Sequence, residues 1–222
     1  QIMGIRVVPD GDEYDKDVAL GIRYAVDNGA KIINMSFGKS YSPEQIWVDS
    51  AIRYAASKDV LIVHAAGNDA KDIDYNDNFP NDSDDKITEF ADNMITVGAL
   101  NFENGNKLVA RFSNIGKINV DVFAPGVKIY ATTPKNTYSF LQGTSMAAPN
   151  VAGVAALIRS YYPKLTAKQV KHILMDSGVA IESDVIVGGK PADIRPFSAL
   201  SKSGKIVNAY NALQMAEKMS KK

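Results

Sequence analysis

The sequence predicts an α/β fold with a mainly parallel central sheet, and three observations carry that expectation. Short apolar runs alternate with amphipathic stretches along the chain. The runs are nearly continuous and β-branched, as strands covered on both faces are. The intervening stretches repeat their apolar residues at helical spacing, which places helices on both faces of the sheet.

Taken in order, Ile2 to Val8 reads as a buried strand ended by Pro9-Asp10-Gly11. Lys16 to Asn28 has helical spacing at Val18, Ile22, Ala25 and Val26, with Gly29 as its stop. Lys31 to Ser36 is a strand, and Pro43 opens a helix with Trp47, Ala51, Tyr54 and Ala55 on one face. Val60 to Val63, Met94 to Ala99, Val120 to Phe123 and Val127 to Thr132 are further strands. Helices are expected from Ser145, over Thr166 to Ser177 and over Val207 to Met219, with a turn at Gly188-Gly189-Lys190-Pro191. No linker or repeat divides the chain, so residues 1–222 read as one domain.

Composition excludes several classes. Of 222 residues, 25 are Lys or Arg and 25 are Asp or Glu, so no net field draws nucleic acid or an acidic surface. No Cys occurs, which removes a thiolate nucleophile, a Cys-ligated zinc site and a disulfide frame. No apolar run reaches membrane length. Charge is uneven: nine acids against Lys71 and Lys86 lie between Asp69 and Asp92. That stretch reads as a solvated surface loop. Asp72, Asp74, Asp77, Asp82, Asp84 and Asp85 also admit calcium, which takes oxygen ligands, although their spacing is not that of an EF-hand.

Three segments carry chemistry. In Gly143-Thr144-Ser145-Met146-Ala147-Ala148-Pro149 a serine stands where a helix begins, and Pro149 places that start close by. Unpaired N–H groups and the positive dipole end suit a developing oxyanion there. The same serine also fits an ordinary helix cap. In Ala65-Ala66-Gly67-Asn68 a buried strand ends in an Asn, whose neutral NH2 donates without attracting carboxylates; a plain Asn turn fits as well. Asn34-Met35-Ser36-Phe37-Gly38 ends another strand, where an extended edge accepts a peptide backbone.

Together and in this order, the three segments resemble the subtilisin-like serine protease (subtilase) family. Phe112-Ser113-Asn114, Phe123-Ala124-Pro125-Gly126-Val127 and the closing stretch Ser203 to Tyr210 extend the resemblance over nearly the whole chain. It implies a three-layer subtilisin-like domain and a serine endopeptidase forming an acyl-enzyme on Ser145. Asn68 and the Ser145 N–H would be the oxyanion donors. Ser36, Phe37 and Gly38 on one side, and Ala65, Ala66 and Gly67 on the other, would wall the pocket for the residue before the scissile bond. Gly143 and Thr144 would complete it. The resemblance implies peptide or protein substrates, no organic cofactor and export from the cytoplasm.

The family's aspartate and histidine motifs are not in this sequence. His64 and His172 are the only histidines; the first reads as a packed strand residue and the second as a helix boundary residue. Asn150 stands where the family commonly has a non-catalytic His. The sheet is therefore expected to be incomplete at its N-terminal side, with a strand missing between Ile2–Val8 and Lys31–Ser36. Either a separate segment fills the gap or the sheet closes around it, and the chain alone is expected to be inactive. The rival reading is a non-catalytic scaffold of the same fold that binds peptides. An α/β-hydrolase elbow fails for want of an acid between Ser145 and His172, and no phosphate-binding glycine motif occurs.

Overall fold

The computed structural model describes residues 1–8 and 11–221. Helix α1 (Asp15–Asp27) buries Val18, Ala19, Ile22, Ala25 and Val26 along one stripe. It ends where Gly29 adopts a φ of +83°. Strand β1 (Ile32–Met35), helix α2 (Gln45–Ser57), and strands β2 (Leu61–Ala65), β3 (Met94–Leu100) and β4 (Val122–Pro125) follow. A hairpin of β5 (Ile129–Thr133) and β6 (Thr137–Leu141) leads into helix α3 (Thr144–Tyr161). Helix α4 (Ala167–Asp176) starts on a capping box between Thr166 and Gln169. Short strands β7 (Val179–Ala180), β8 (Asp184–Ile186), β9 (Ile194–Pro196) and β10 (Lys205–Ile206) precede helix α5 (Ala209–Ser220).

The main sheet runs β1-β2-β3-β4-β10-β7 and is parallel except where β7 meets β10. Residue alternation sorts its two faces. Leu61, Val63, Ala65, Ile95, Val97 and Ala99 pack against α3, α4 and α5. Ile62 and Met94 pack instead with Val18, Ile22, Val48 and Ile52 of α1 and α2. Helices on both sides of a mainly parallel sheet are the α/β architecture that the apolar runs predicted.

Several expectations change. Ile2 to Val8 is not a strand; Ile2 is fully exposed, and Pro9-Asp10 of the turn after it lie outside the described residues. Val7 instead rests on α1, where its Cγ1 would come within 2.3 Å of a Cβ on Gly21. The sheet has not closed up: β1 is its terminal strand, and Ile2–Val8 does not pair with the free edge of β1. On α2 the buried face is Val48, Ala51, Ile52 and Ala55, with Trp47 47% exposed, because the stripe is set by α1 and β2. Strands β6 to β10 escaped the sequence because they are short and mostly polar or half-exposed.

The acidic stretch is anchored rather than freely solvated. Ile73 is buried, and each carboxylate takes its own partners. Asp72 meets Arg195 at 3.2 Å, Asp77 meets Lys86 at 2.6 Å and Asp84 meets Arg53 at 3.1 Å. Asp74 accepts the Ile118 and Asn119 N–H groups, and Asp85 those of Ile87 and Thr88. They do not converge, and among the described residues no group of three His, Asp or Glu is placed to hold a metal ion. These six carboxylates therefore do not form a cluster of their own around one ion.

Asp82 and Glu89 reach Lys171 of α4, whose side chain is only 1% exposed, at 3.8 and 2.7 Å. Burial disfavours the Lys171 ammonium, but Asp121, Asp82 and Glu89 outweigh it and hold its pKa above the ordinary range. Burial pushes Asp82 up to about 7 despite Lys171, helped by Asp121 and Glu89. An unfolded Asp titrates near about 4. Between about pH 4 and 7 the unfolded chain therefore releases this proton while the folded one keeps it, and stability falls as pH rises. Asp82→Asn removes that loss. Its stability relative to the wild type, from urea unfolding, should rise between pH 4 and 7; a difference flat with pH would contradict the assignment.

Candidate active site

Strands β1 and β2 are parallel neighbours in register Ile32 to Leu61, so their C-terminal ends open on one edge of the sheet. Ser36-Phe37-Gly38 leaves the first and Ala66-Gly67-Asn68 the second. Helix α3 begins above the same edge, with Gly143 before it at a φ of +147°.

Thr144 is the junction. Its hydroxyl accepts the Gly67 N–H at 3.1 Å and donates to Asn68 Oδ1 at 3.0 Å. Its own N–H, an orphan donor of the helix start, also reaches Asn68 Oδ1 at 2.9 Å. Two donors converge on one atom of the Asn68 amide, so that atom is the oxygen and the NH2 faces the other way. Asn68 is thus neither a plain turn nor a free side chain.

Ser145 does not cap its helix; the cap position is Gly143. The Ser145 hydroxyl donates to the Ser36 carbonyl at 3.1 Å. Neither the Ser145 N–H nor Asn68 Nδ2 makes a hydrogen bond with another described residue, which leaves both donors available. A cleft of about 420 Å3 is lined by Phe37, Gly38, Ala65, Gly67, Asn68, Thr144 and Ser145. Of its charged side chains, Lys39 is tied to Asp15 at 2.8 Å and Asp77 to Lys86.

The structure thus brings together eight of the ten residues singled out in the sequence, Ser36 through its bond to Ser145 and the others as cleft lining. Ala66 is fully buried, and Gly143 is buried with its N–H on the Gly126 carbonyl at 2.8 Å. Both act behind the wall rather than on it. Neither histidine approaches Ser145 by hydrogen bond. His64 is wholly buried, its pKa lowered to about 4 by burial, and its Nε2 donates to the Phe37 carbonyl at 2.9 Å. His172, on α4, meets Asp92 at 2.9 Å.

Asn114 is a residue whose role sequence reasoning missed. Its Oδ1 accepts the N–H groups of Asp69 and Lys71, and its Nδ2 donates to the Ala66 carbonyl. A Cβ on Gly67, which has a φ of +98°, would lie 2.4 Å from Asn114 Nδ2. Asn114 therefore braces the loop that presents Asn68. The signal was the Ser-Asn pair between the two motifs, but a single sequence cannot say which loop such a side chain will reach. Asn114→Ala would leave three backbone groups without partners. It should cost about 2–4 kcal/mol in urea unfolding, and a change within error would refute the brace.

Comparison with known proteins adds a second line of evidence. Residues 1–203 match the Subtilase family. The chain is 37% identical over 172 residues to Subtilisin DY of Bacillus licheniformis, covering 77% of this chain and 58% of that protein. It is 39% identical over 160 residues to Thermitase of Thermoactinomyces vulgaris, covering 72% and 51%. Among solved structures, a protease from Pseudoalteromonas arctica superposes with a TM-score of 0.74 at 29% identity, over 95% of this chain and 61% of that one. The chain thus spans somewhat over half the length of these relatives. With the fold, the ordered motifs and this match in agreement, the chain belongs to the subtilase family of serine proteases.

Proposed function

We propose that residues 1–222 are the C-terminal part of one subtilisin-type catalytic domain, and that Ser145 is the nucleophile of a serine endopeptidase. The observation that carries this reading is the convergence of Ser145 and the Asn68 amide on one cleft from distant parts of the chain. In this role the Ser145 hydroxyl attacks a peptide carbonyl. Asn68 Nδ2 and the Ser145 N–H receive the oxyanion, and the amine leaves as the acyl-enzyme forms. Removal of such an Asn costs about 10²–10³ in rate in a subtilisin. The substrate is a peptide or protein, seated between Phe37-Gly38 and Ala65-Gly67.

A serine hydroxyl is a weak nucleophile until a base takes its proton. Here that hydroxyl bonds a carbonyl, and both imidazoles are engaged elsewhere. We therefore assign the general base and its orienting acid to a segment upstream in the parent protein. This chain by itself should be inactive, since loss of the triad base costs about 10⁶ in kcat in a subtilisin. The alternative reading is a non-catalytic scaffold that binds peptides; the presence of both Ser145 and Asn68 in one cleft argues against it, since a binding module needs neither. Export from the cytoplasm is proposed from family membership; among the described residues no helix is long and apolar enough to cross a membrane.

The test uses a chromogenic peptide ester and a serine-directed fluorophosphonate. The 222-residue chain and its Ser145→Ala variant should turn the ester over equally slowly. In the parent, the fluorophosphonate should label Ser145, and Ser145→Ala should abolish turnover. Robust Ser145-dependent turnover by the chain alone would refute the upstream base. An unlabelled Ser145 in the parent would favour the scaffold.

A further inference from the structure

Pro149 lies inside α3, beyond the first turn where a proline is tolerated without loss. A residue there would normally donate its N–H to the carbonyl four positions earlier, which is that of Ser145. Proline has no N–H, so the backbone oxygen of Ser145 is left without its helical donor. The Ser36 hydroxyl fills the vacancy and donates to that oxygen at 2.8 Å. Asn34 Nδ2 in turn donates to Ser36 Oγ at 2.9 Å. The Ser36 hydrogen is thereby directed toward Ser145, because its oxygen already faces a donor on the other side.

The return bond runs from the Ser145 hydroxyl to the Ser36 carbonyl. Two residues far apart in the chain thus exchange a pair of bonds, each giving a hydroxyl and taking the other's on its carbonyl. Were residue 149 able to donate, the helix would satisfy the Ser145 carbonyl internally, and that end of the pair would be dispensable. The proline makes the tie necessary. It also joins α3 to β1, which as the terminal strand of the sheet has a ladder on one side only.

We propose that Ser36 is a positioning residue for Ser145. It supplies the donor that Pro149 withholds, and Asn34 sets the direction of its hydroxyl. The inference rests on the reading of Ser145 as nucleophile, but the geometry is measurable without turnover. When a base draws the Ser145 proton away, only the bond from the Ser145 hydroxyl has to break. The bond from the Ser36 hydroxyl remains and holds the serine backbone at the helix start.

The experiment compares wild type, S36A, S36T, P149A and S36A/P149A. In the 222-residue chain, the carbonyl 13C shift of Ser145 and the three-bond couplings about its χ1 are read by NMR. In S36A the carbonyl should move upfield and the couplings should average over rotamers. S36T should resemble wild type. In S36A/P149A the new N–H of residue 149 should return the carbonyl shift to its wild-type position. In the parent protein, S36A should lower kcat about tenfold, the worth of one hydrogen bond, with KM unchanged, and S36A/P149A should recover most of that loss. Unchanged NMR readouts in S36A, or no recovery in the double variant, would overturn the proposal. A raised KM with intact kcat would overturn it too, since Ser36 would then be acting on the substrate. A parent with no Ser145-dependent turnover would sink only the protease reading, and the NMR arms would then decide the pair alone.

Discussion

Thr144 is fully buried, and through its hydroxyl and N–H two loops far apart in the chain are fixed to each other. A single hydroxyl accepts from one loop and donates to the same loop one residue later, so neither its proton nor its lone pair is left idle in the core. The consequence reaches the surface. With Oδ1 held from below by two donors, Asn68 can present only its NH2 outward. In the oxyanion role proposed for Asn68, an amide oriented in advance loses little entropy when charge develops beside it.

The rest of the fold serves this junction. The parallel pairing of β1 and β2 brings two strand ends to one edge, and the small residues of α3 let the helix lie close over β2, β3 and β4. Ala147, Ala148, Val151 and Ala155 are wholly buried there, so the helix start is located by packing along its length and not by a cap. On the opposite face α1 and α2 close the second core against Ile62 and Met94. The acidic segment after Asn68 is held by separate ion pairs to Arg195, Lys86, Arg53 and Lys171, and by Asn114 at its base.

Much of this was legible in the residues. The helix over Asp15–Asp27 and strands β1 to β4 follow from apolar period and from runs long enough to be buried. Ser145 and Asn68 stood out because small residues and glycines surround a polar group at an element end. What was not legible depends on partners. Ile2 to Val8 has a strand's composition but takes no place in the sheet, and its Val7 lies against Gly21 of α1. Spacing alone puts Trp47 on one face with Ala51, Tyr54 and Ala55, whereas Val48 and Ile52 share the buried face with Ala51 and Ala55 and pack with α1. Ser36 and Asn114 carry ordinary polar side chains whose targets are set by the fold over long chain separations. No local pattern announces them.

The central claim is that the Ser145 hydroxyl and the Asn68 amide face one space the size of a carbonyl. Its most direct measurement is a crystal structure of the parent protein with a peptidyl boronic acid added. The account predicts a covalent bond from Ser145 Oγ to boron, with one boronate oxygen about 2.7–3.1 Å from both Asn68 Nδ2 and the Ser145 nitrogen. A boronate on Ser145 whose oxygens meet only solvent, with Asn68 directed elsewhere, would contradict it.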